Sequence, residues 1–117
     1  MATILVTDND QDILSLYQQE LLAEGYPVLL AKNGDEALEK VRSHQIDLVI
    51  LDIEMEGKGG LETLREILSE KRNIKVILNT AYNQFMDDFS SWAADAFVVK
   101  SSNLDPLKKH IEALLGK

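Results

Sequence analysis

An α/β fold, with a mostly parallel sheet covered by helices on both faces, is what this chain predicts. Three observations carry that expectation. Short apolar runs of strand length alternate with amphipathic stretches of helical period from end to end, and the connections between them are short. The run Leu48 to Leu51 is apolar at consecutive positions, the composition of a strand buried on both faces. In such a fold the loops after the C-terminal ends of the strands form one rim, and functional side chains are to be sought there.

Thr3 to Thr7 reads as the first strand. Residues 10 to 24 place Ile13, Leu14, Tyr17, Leu21 and Leu22 on one helical face, with Gly25 as the stop. Pro27 to Ala31 is a second strand, and a proline at its start suggests the sheet edge. Asn33 is a candidate N-cap, and Glu36 three residues on completes a capping box for a helix with Ala37, Leu38 and Val41 inward. Asp47 to Leu51 is the third strand, and Gly60 opens a helix burying Leu61, Leu64, Ile67 and Leu68. Ile74 to Asn79 is the fourth strand. Phe85, Phe89 and Trp92 at helical spacing predict a fourth helix over 82 to 93, with these aromatics as core packing. Ala96 to Val99 is the fifth strand, and a fifth helix over 104 to 115 carries Leu107, Ile111, Leu114 and Leu115, with Ser102 or Asn103 as cap and Pro106 in its first turn.

A chain of 117 residues is expected to form one domain. It contains no cysteine, which excludes a disulfide scaffold and thiol chemistry and suits a cytoplasmic setting. The start MATILVTDNDQD lacks the basic segment of a signal peptide, and no apolar stretch approaches the roughly 20 residues of a membrane span. A formal net charge of -8 argues against direct contact with nucleic acid and favours cations or basic partner surfaces. His44 and His110 lack ligand-spaced companions and read as surface residues. GKGG at 57 to 60 is too short for a phosphate-cradling P-loop.

The strand ends collect a non-random set. Asp8, Asn9 and Asp10 follow the first strand, Asp52 with Glu54 follows the third, Thr80 the fourth and Lys100 the fifth. Taken singly, Asp8 and Asp10 are helix-capping types, Thr80 a turn residue and Lys100 a surface lysine. Together, carboxylates, a hydroxyl and an ammonium suit Mg²⁺ and a phosphoryl group. Mg²⁺ takes oxygen ligands and keeps waters, and stabilising phosphoryl oxygens is most of what transfer sites do.

Five features in order give the chain a resemblance to the receiver domain of bacterial two-component response regulators: Asp8-Asn9, Asp52-Ile53-Glu54-Met55, Gly60-Leu61-Glu62, Thr80-Ala81 and Lys100. The resemblance implies a flavodoxin-like, doubly wound, five-stranded parallel sheet of order 2-1-3-4-5 with five helices. It implies Mg²⁺-dependent phosphoryl transfer from a histidine kinase or phosphotransfer protein to Asp52, with Lys100 and Thr80 assisting. Asp8, Asn9, Asp52 and the backbone carbonyl of Glu54 are the implied metal ligands. Thr80 and Phe97 match the switch positions that repack the face of the fourth helix, fifth strand and fifth helix for a downstream protein effector, a phosphorylation-dependent homodimer being one form of output. Such a module is a signalling domain, not an enzyme beyond its own phosphorylation and dephosphorylation.

The chain departs from the pattern at several positions. Asn9 stands where a second acid is usual, which predicts weaker Mg²⁺ binding; Asp10 beside it reads as the start of the first helix. Glu56 and Ser101 each replace a proline, and a cis peptide before a non-proline costs about 3 kcal/mol, so Lys100-Ser101 is expected to be trans or strained. Glu54 and Tyr82 hold the positions that tune access of hydrolytic water, and their bulk predicts slow autodephosphorylation. Phe97 lacks the hydroxyl of the tyrosine often found there. Two other functions compete. A phosphorylation-independent docking domain is motivated by Asn9, Glu56 and Ser101. A flavin- or nucleotide-binding protein of the same topology is opposed by the acidic loop after the first strand. The chain is either a stand-alone receiver or one domain of a longer regulator.

Overall fold

The computed structural model describes residues 2–54, 59–81 and 93–116. Five strands, β1 (Ile4–Thr7), β2 (Val28–Ala31), β3 (Leu48–Leu51), β4 (Lys75–Thr80) and β5 (Ala96–Val99), form one sheet in the order β2-β1-β3-β4-β5. Every pairing is parallel, with Val6 opposite Leu30 and Ile50, and Leu78 opposite Leu51 and Phe97. The helices are α1 (Gln11–Ala23), α2 (Gly34–Ser43), α3 (Gly60–Glu70) and α4 (Asp105–Leu115). Four helices are thus described where five were expected. The sequence predicts the other over 82 to 93, and residues 82 to 92, with Phe85, Phe89 and Trp92, lie outside the described residues.

Successive strand side chains point to opposite faces, and both faces are buried. Ile4, Val6, Leu48, Ile50 and Ile77 pack with Leu14, Tyr17 and Leu21 of α1 and with Leu107 and Ile111 of α4. Leu5, Val49, Leu51, Val76 and Leu78 pack with Ala37, Leu38 and Val41 of α2 and with Leu64 and Ile67 of α3. This two-sided burial is why the strands read as unbroken apolar runs. Each fully buried Leu or Ile contributes about 1.5–3 kcal/mol. Leu22 is the exception on its expected face, being 51% exposed, because α1 turns only the 14, 17, 21 stripe to the sheet.

Local signals end the elements within a residue or two of expectation. Gly25, with φ of 94°, lets Tyr26 N–H reach back to the Leu21 carbonyl and stop α1. Asn33 Oδ1 accepts from Glu36 N–H at 2.8 Å, as a cap should, but the Glu36 carboxylate accepts from Lys32 N–H, one residue before the expected position. The N-cap of α4 is Leu104, not Ser102 or Asn103, although Asn103 Oδ1 accepts from Asp105 N–H just before the first turn closes. Asp47, expected inside β3, lies before it: its carboxylate accepts from Thr3 N–H. β2 sits at the edge, as Pro27 suggested.

Candidate functional site

The parallel sheet delivers the ends of β1, β3, β4 and β5 to one rim. Asp8 leaves β1 with its N–H on the Ala31 carbonyl, and its Oδ1 accepts from Asp10 N–H at 2.9 Å. Asp10 in turn is the N-cap of α1 and accepts from Asp12 N–H. These two nested turns fix the direction of the Asp8 carboxylate. Asp52 leaves β3 with its N–H on the Thr7 carbonyl, and its Oδ1 accepts from Glu54 N–H at 3.0 Å.

Lys100 joins the two acids. Its Nζ lies 2.6 Å from Asp8 Oδ2 and 3.0 Å from Asp52 Oδ2. The side chains of Asp8 and Asp52 are almost wholly buried, and that of Lys100 is 19% exposed. The backbone N–H of Lys100 donates to the Thr80 carbonyl at 2.7 Å, so Thr80, itself fully buried, ties the ends of β4 and β5 together. The peptide between Lys100 and Ser101 is trans.

Gly60 holds the floor of the Asp52 loop. A Cβ there would fall 2.3 Å from the Asp52 carbonyl oxygen and 2.4 Å from Ile53 Cα, so only glycine lets α3 approach this closely. The Gly60 N–H donates to the Ile53 carbonyl at 3.0 Å.

Two carboxylates and one ammonium leave the cluster with one net negative charge. Burial pushes the Asp52 carboxyl above its ordinary value of 3.8; the Lys100 ammonium and the Glu54 N–H pull it back only in part, and Asp8 adds to the rise. Burial presses Lys100 downward, but its two carboxylate partners outweigh it and hold the ammonium above 10.5.

Of the residues expected at the site, Asp8, Asp52 and Lys100 are in contact, and Thr80 is bonded to the same rim. Asn9 and Glu54 are exposed beside it. Phe97 is half-buried and packs on the α2–α3 side of the core. Tyr82, Met55 and Glu56 lie outside the described residues. His44 and His110 are exposed. Two polar residues that periodicity assigns only to an apolar stripe and a strand end, Tyr17 and Asn79, are buried and bonded to each other. A tyrosine and an asparagine on buried faces each demand a partner, and that demand was the available signal.

The carboxylate oxygens of Asp8 and Asp52 suit a hard divalent cation. Among the described residues no cluster of three acidic, imidazole or thiol groups assembles. Asp8 and Asp52 would be completed by amide or carbonyl oxygens, from Asn9 and Glu54, and by water, as Mg²⁺ allows.

Residues 4–112 match the family model described as the response regulator receiver domain. The chain is 40% identical over 116 residues to the transcriptional regulatory protein ZraR of Klebsiella oxytoca, covering 97% of this chain and 26% of that protein. It is 38% identical to response regulator RR06 of Streptococcus pneumoniae serotype 2, covering 97% of this chain and 53% of that one. The chain therefore spans between about a quarter and about half of these relatives. Among solved structures, the response regulator TrrA of Thermotoga maritima in complex with Mg²⁺-BeF is 51% identical with a TM-score of 0.94, over 97% of this chain and 99% of that one. TrrA in complex with the histidine kinase ThkA superposes with a TM-score of 0.92, over 98% and 99%. No helix among the described residues is long and apolar enough to cross a membrane. The sheet order, the acid–lysine cluster at its rim and the family match over nearly the whole chain agree: the chain belongs to the response regulator receiver domain family of two-component systems.

Proposed function

We propose that residues 1 to 117 act as one receiver unit that accepts a phosphoryl group on Asp52 from a histidine kinase phosphohistidine and changes the binding of a protein effector in response. The observation that carries this is the Lys100 ammonium held between two buried carboxylates, 2.6 Å from Asp8 and 3.0 Å from Asp52. The complexes of TrrA with Mg²⁺-BeF and with ThkA support it by likeness.

In this reading an Asp52 oxygen attacks phosphorus, the new O–P bond forms, and the P–N bond to imidazole breaks; the imidazole leaves with its electron pair and takes a proton. Lys100 opposes the effect of burial on Asp52 and so favours its ionised, nucleophilic form. The Glu54 N–H orients the carboxylate through Oδ1. After transfer, Lys100 and the Thr80 hydroxyl would offset the new negative charge, and electrostatic stabilisation of that charge is the main work of such a site. Asp8, Asn9, Asp52 and the Glu54 carbonyl would hold Mg²⁺, which when bound neutralises phosphoryl charge. Thr80 and Phe97 would carry the change to the effector face.

The test is incubation with acetyl phosphate and Mg²⁺, read by intact mass. One added phosphoryl group, absent after chelation, is expected; an unchanged mass under conditions that label other receivers contradicts the reading. In the same assay Asn9 predicts a Mg²⁺ requirement in the millimolar range, and Glu54 with Tyr82 a label that outlasts minutes. Sub-millimolar saturation or loss within seconds would contradict these two finer points.

A further inference from the structure

A buried polar link runs beneath the rim, on the face that the sheet shares with α1 and α4. Tyr17 donates its hydroxyl to Asn79 Oδ1 at 2.6 Å, and Asn79 Nδ2 donates to the Val98 carbonyl at 2.9 Å. A carbonyl only accepts, so Val98 sets the orientation of the Asn79 amide and thereby the direction of the Tyr17 hydrogen. Burial pushes the Tyr17 phenol above 10.0, which keeps it a neutral donor.

The link joins three elements, and each delivers a site group. α1 is capped by Asp10, whose N–H holds Asp8. Asn79 immediately precedes Thr80, and Val98 stands two residues before Lys100. The phenol is buried on the face of the sheet that these strands share with α1. Its surroundings are otherwise apolar, with Ile4, Leu14, Ile50 and Ile77 in the same cluster. A polar pair in such a place gains little net stability over apolar packing, yet its directional bonds tolerate little displacement.

We propose that the Tyr17–Asn79–Val98 link is a positioning device for the phosphoryl-accepting site, holding the ends of β4 and β5 against α1 so that Thr80 and Lys100 stand correctly beside Asp52. The proposal rests on the reading of Asp52 as acceptor. Neither Tyr17 nor Asn79 touches the transferred group; Asn79 acts through Thr80, which follows it in β4, and Tyr17 acts through its bond to Asn79.

The test compares Tyr17→Phe, Asn79→Leu and the double variant with the wild type and with Leu21→Ala, which weakens the same face of α1 without removing the link. Phosphoryl uptake from acetyl phosphate at saturating Mg²⁺ is measured beside urea unfolding. Each single variant should lower the maximal rate about 3- to 10-fold with the half-saturating acetyl phosphate concentration unchanged. The double variant should be no slower than the slower single one, and Leu21→Ala should keep the wild-type rate. Wild-type rates in the single variants, or losses that multiply in the double one, overturn the proposal. Where Asn79→Leu fails to fold, Tyr17→Phe alone decides by its rate. Should the wild type take up no phosphoryl group, the reading of Asp52 falls separately. The link is then judged by the Thr80 and Lys100 amide resonances of the unphosphorylated protein. Displacement in Tyr17→Phe but not in Leu21→Ala supports it, and unmoved resonances overturn it.

Discussion

Two ionic contacts at opposite ends of the sheet use the same chemistry to different effect. At the rim, Lys100 binds Asp8 and Asp52 with all three side chains largely out of water. At the far end, where α2 and α3 finish, Arg42 binds Glu70 at 3.1 Å with 58% and 38% of the side chains exposed. Water screens the second pair and replaces either partner when it is lost. The rim cluster has no such reserve, and it carries one acid more than it can neutralise. Charge is held there at a cost in stability, which is the mark of a functional site more than of a structural ion pair.

The contrast is sharpest on removal of the cation. Lys100→Met leaves two buried carboxylates facing each other and should destabilise the fold by about 3–5 kcal/mol at neutral pH. Urea unfolding checks this, and a loss under about 1 kcal/mol would place the rim on a level with the surface pair.

Gly60→Ala comes next. Its Cβ meets backbone on both sides, so α3 must withdraw from the Asp52 loop, at about 1–3 kcal/mol and with loss of phosphoryl uptake. Gly59, where an added Cβ meets nothing within 4 Å, is the control: Gly59→Ala should keep both stability and uptake.

Asp52→Asn removes the surplus charge and should raise stability by about 1 kcal/mol at neutral pH, the opposite sign from Lys100→Met. The sign follows from linkage. The folded-state value of Asp52 lies above 3.8, so its favourable contribution is complete below 3.8 and is lost as pH rises through the folded value. The advantage of Asp52→Asn over wild type should therefore be small below 3.8 and grow through that window. Lys100, raised above 10.5, contributes stability at neutral pH that is lost only as pH rises through its own higher value. Unfolding curves of both proteins across the acid range check the first statement. The smallest effect belongs to Arg42→Ala, within about 0.5 kcal/mol and shrinking with salt, by urea unfolding at low and high ionic strength.

Much of this contrast is legible in the sequence. Leu48 to Leu51 reads as a buried strand because both of its faces are covered, and Asp52 stands out because a charge ends so apolar a run. Asp8, Thr80 and Lys100 follow by the same rule once the sheet is parallel, since all strand ends then share one rim. Other features depend on distances that periodicity does not encode. Leu22 and Leu21 look alike as letters, but only the turn of α1 against the sheet decides which is buried. Asp47 looks like the first residue of β3 until its carboxylate is seen to hold Thr3 N–H instead. The Tyr17–Asn79 bond joins residues 62 positions apart, and either residue alone passes for packing.

The central claim, that Asp52 is the acceptor, is tested most directly by trapping the product. Borohydride reduces an aspartyl phosphate to homoserine, so protein treated with acetyl phosphate and Mg²⁺, reduced, digested and sequenced by tandem mass spectrometry should show homoserine at position 52 alone. Homoserine at Asp8 or Asp10 instead, or none in a protein whose mass shows the phosphoryl group, would contradict it.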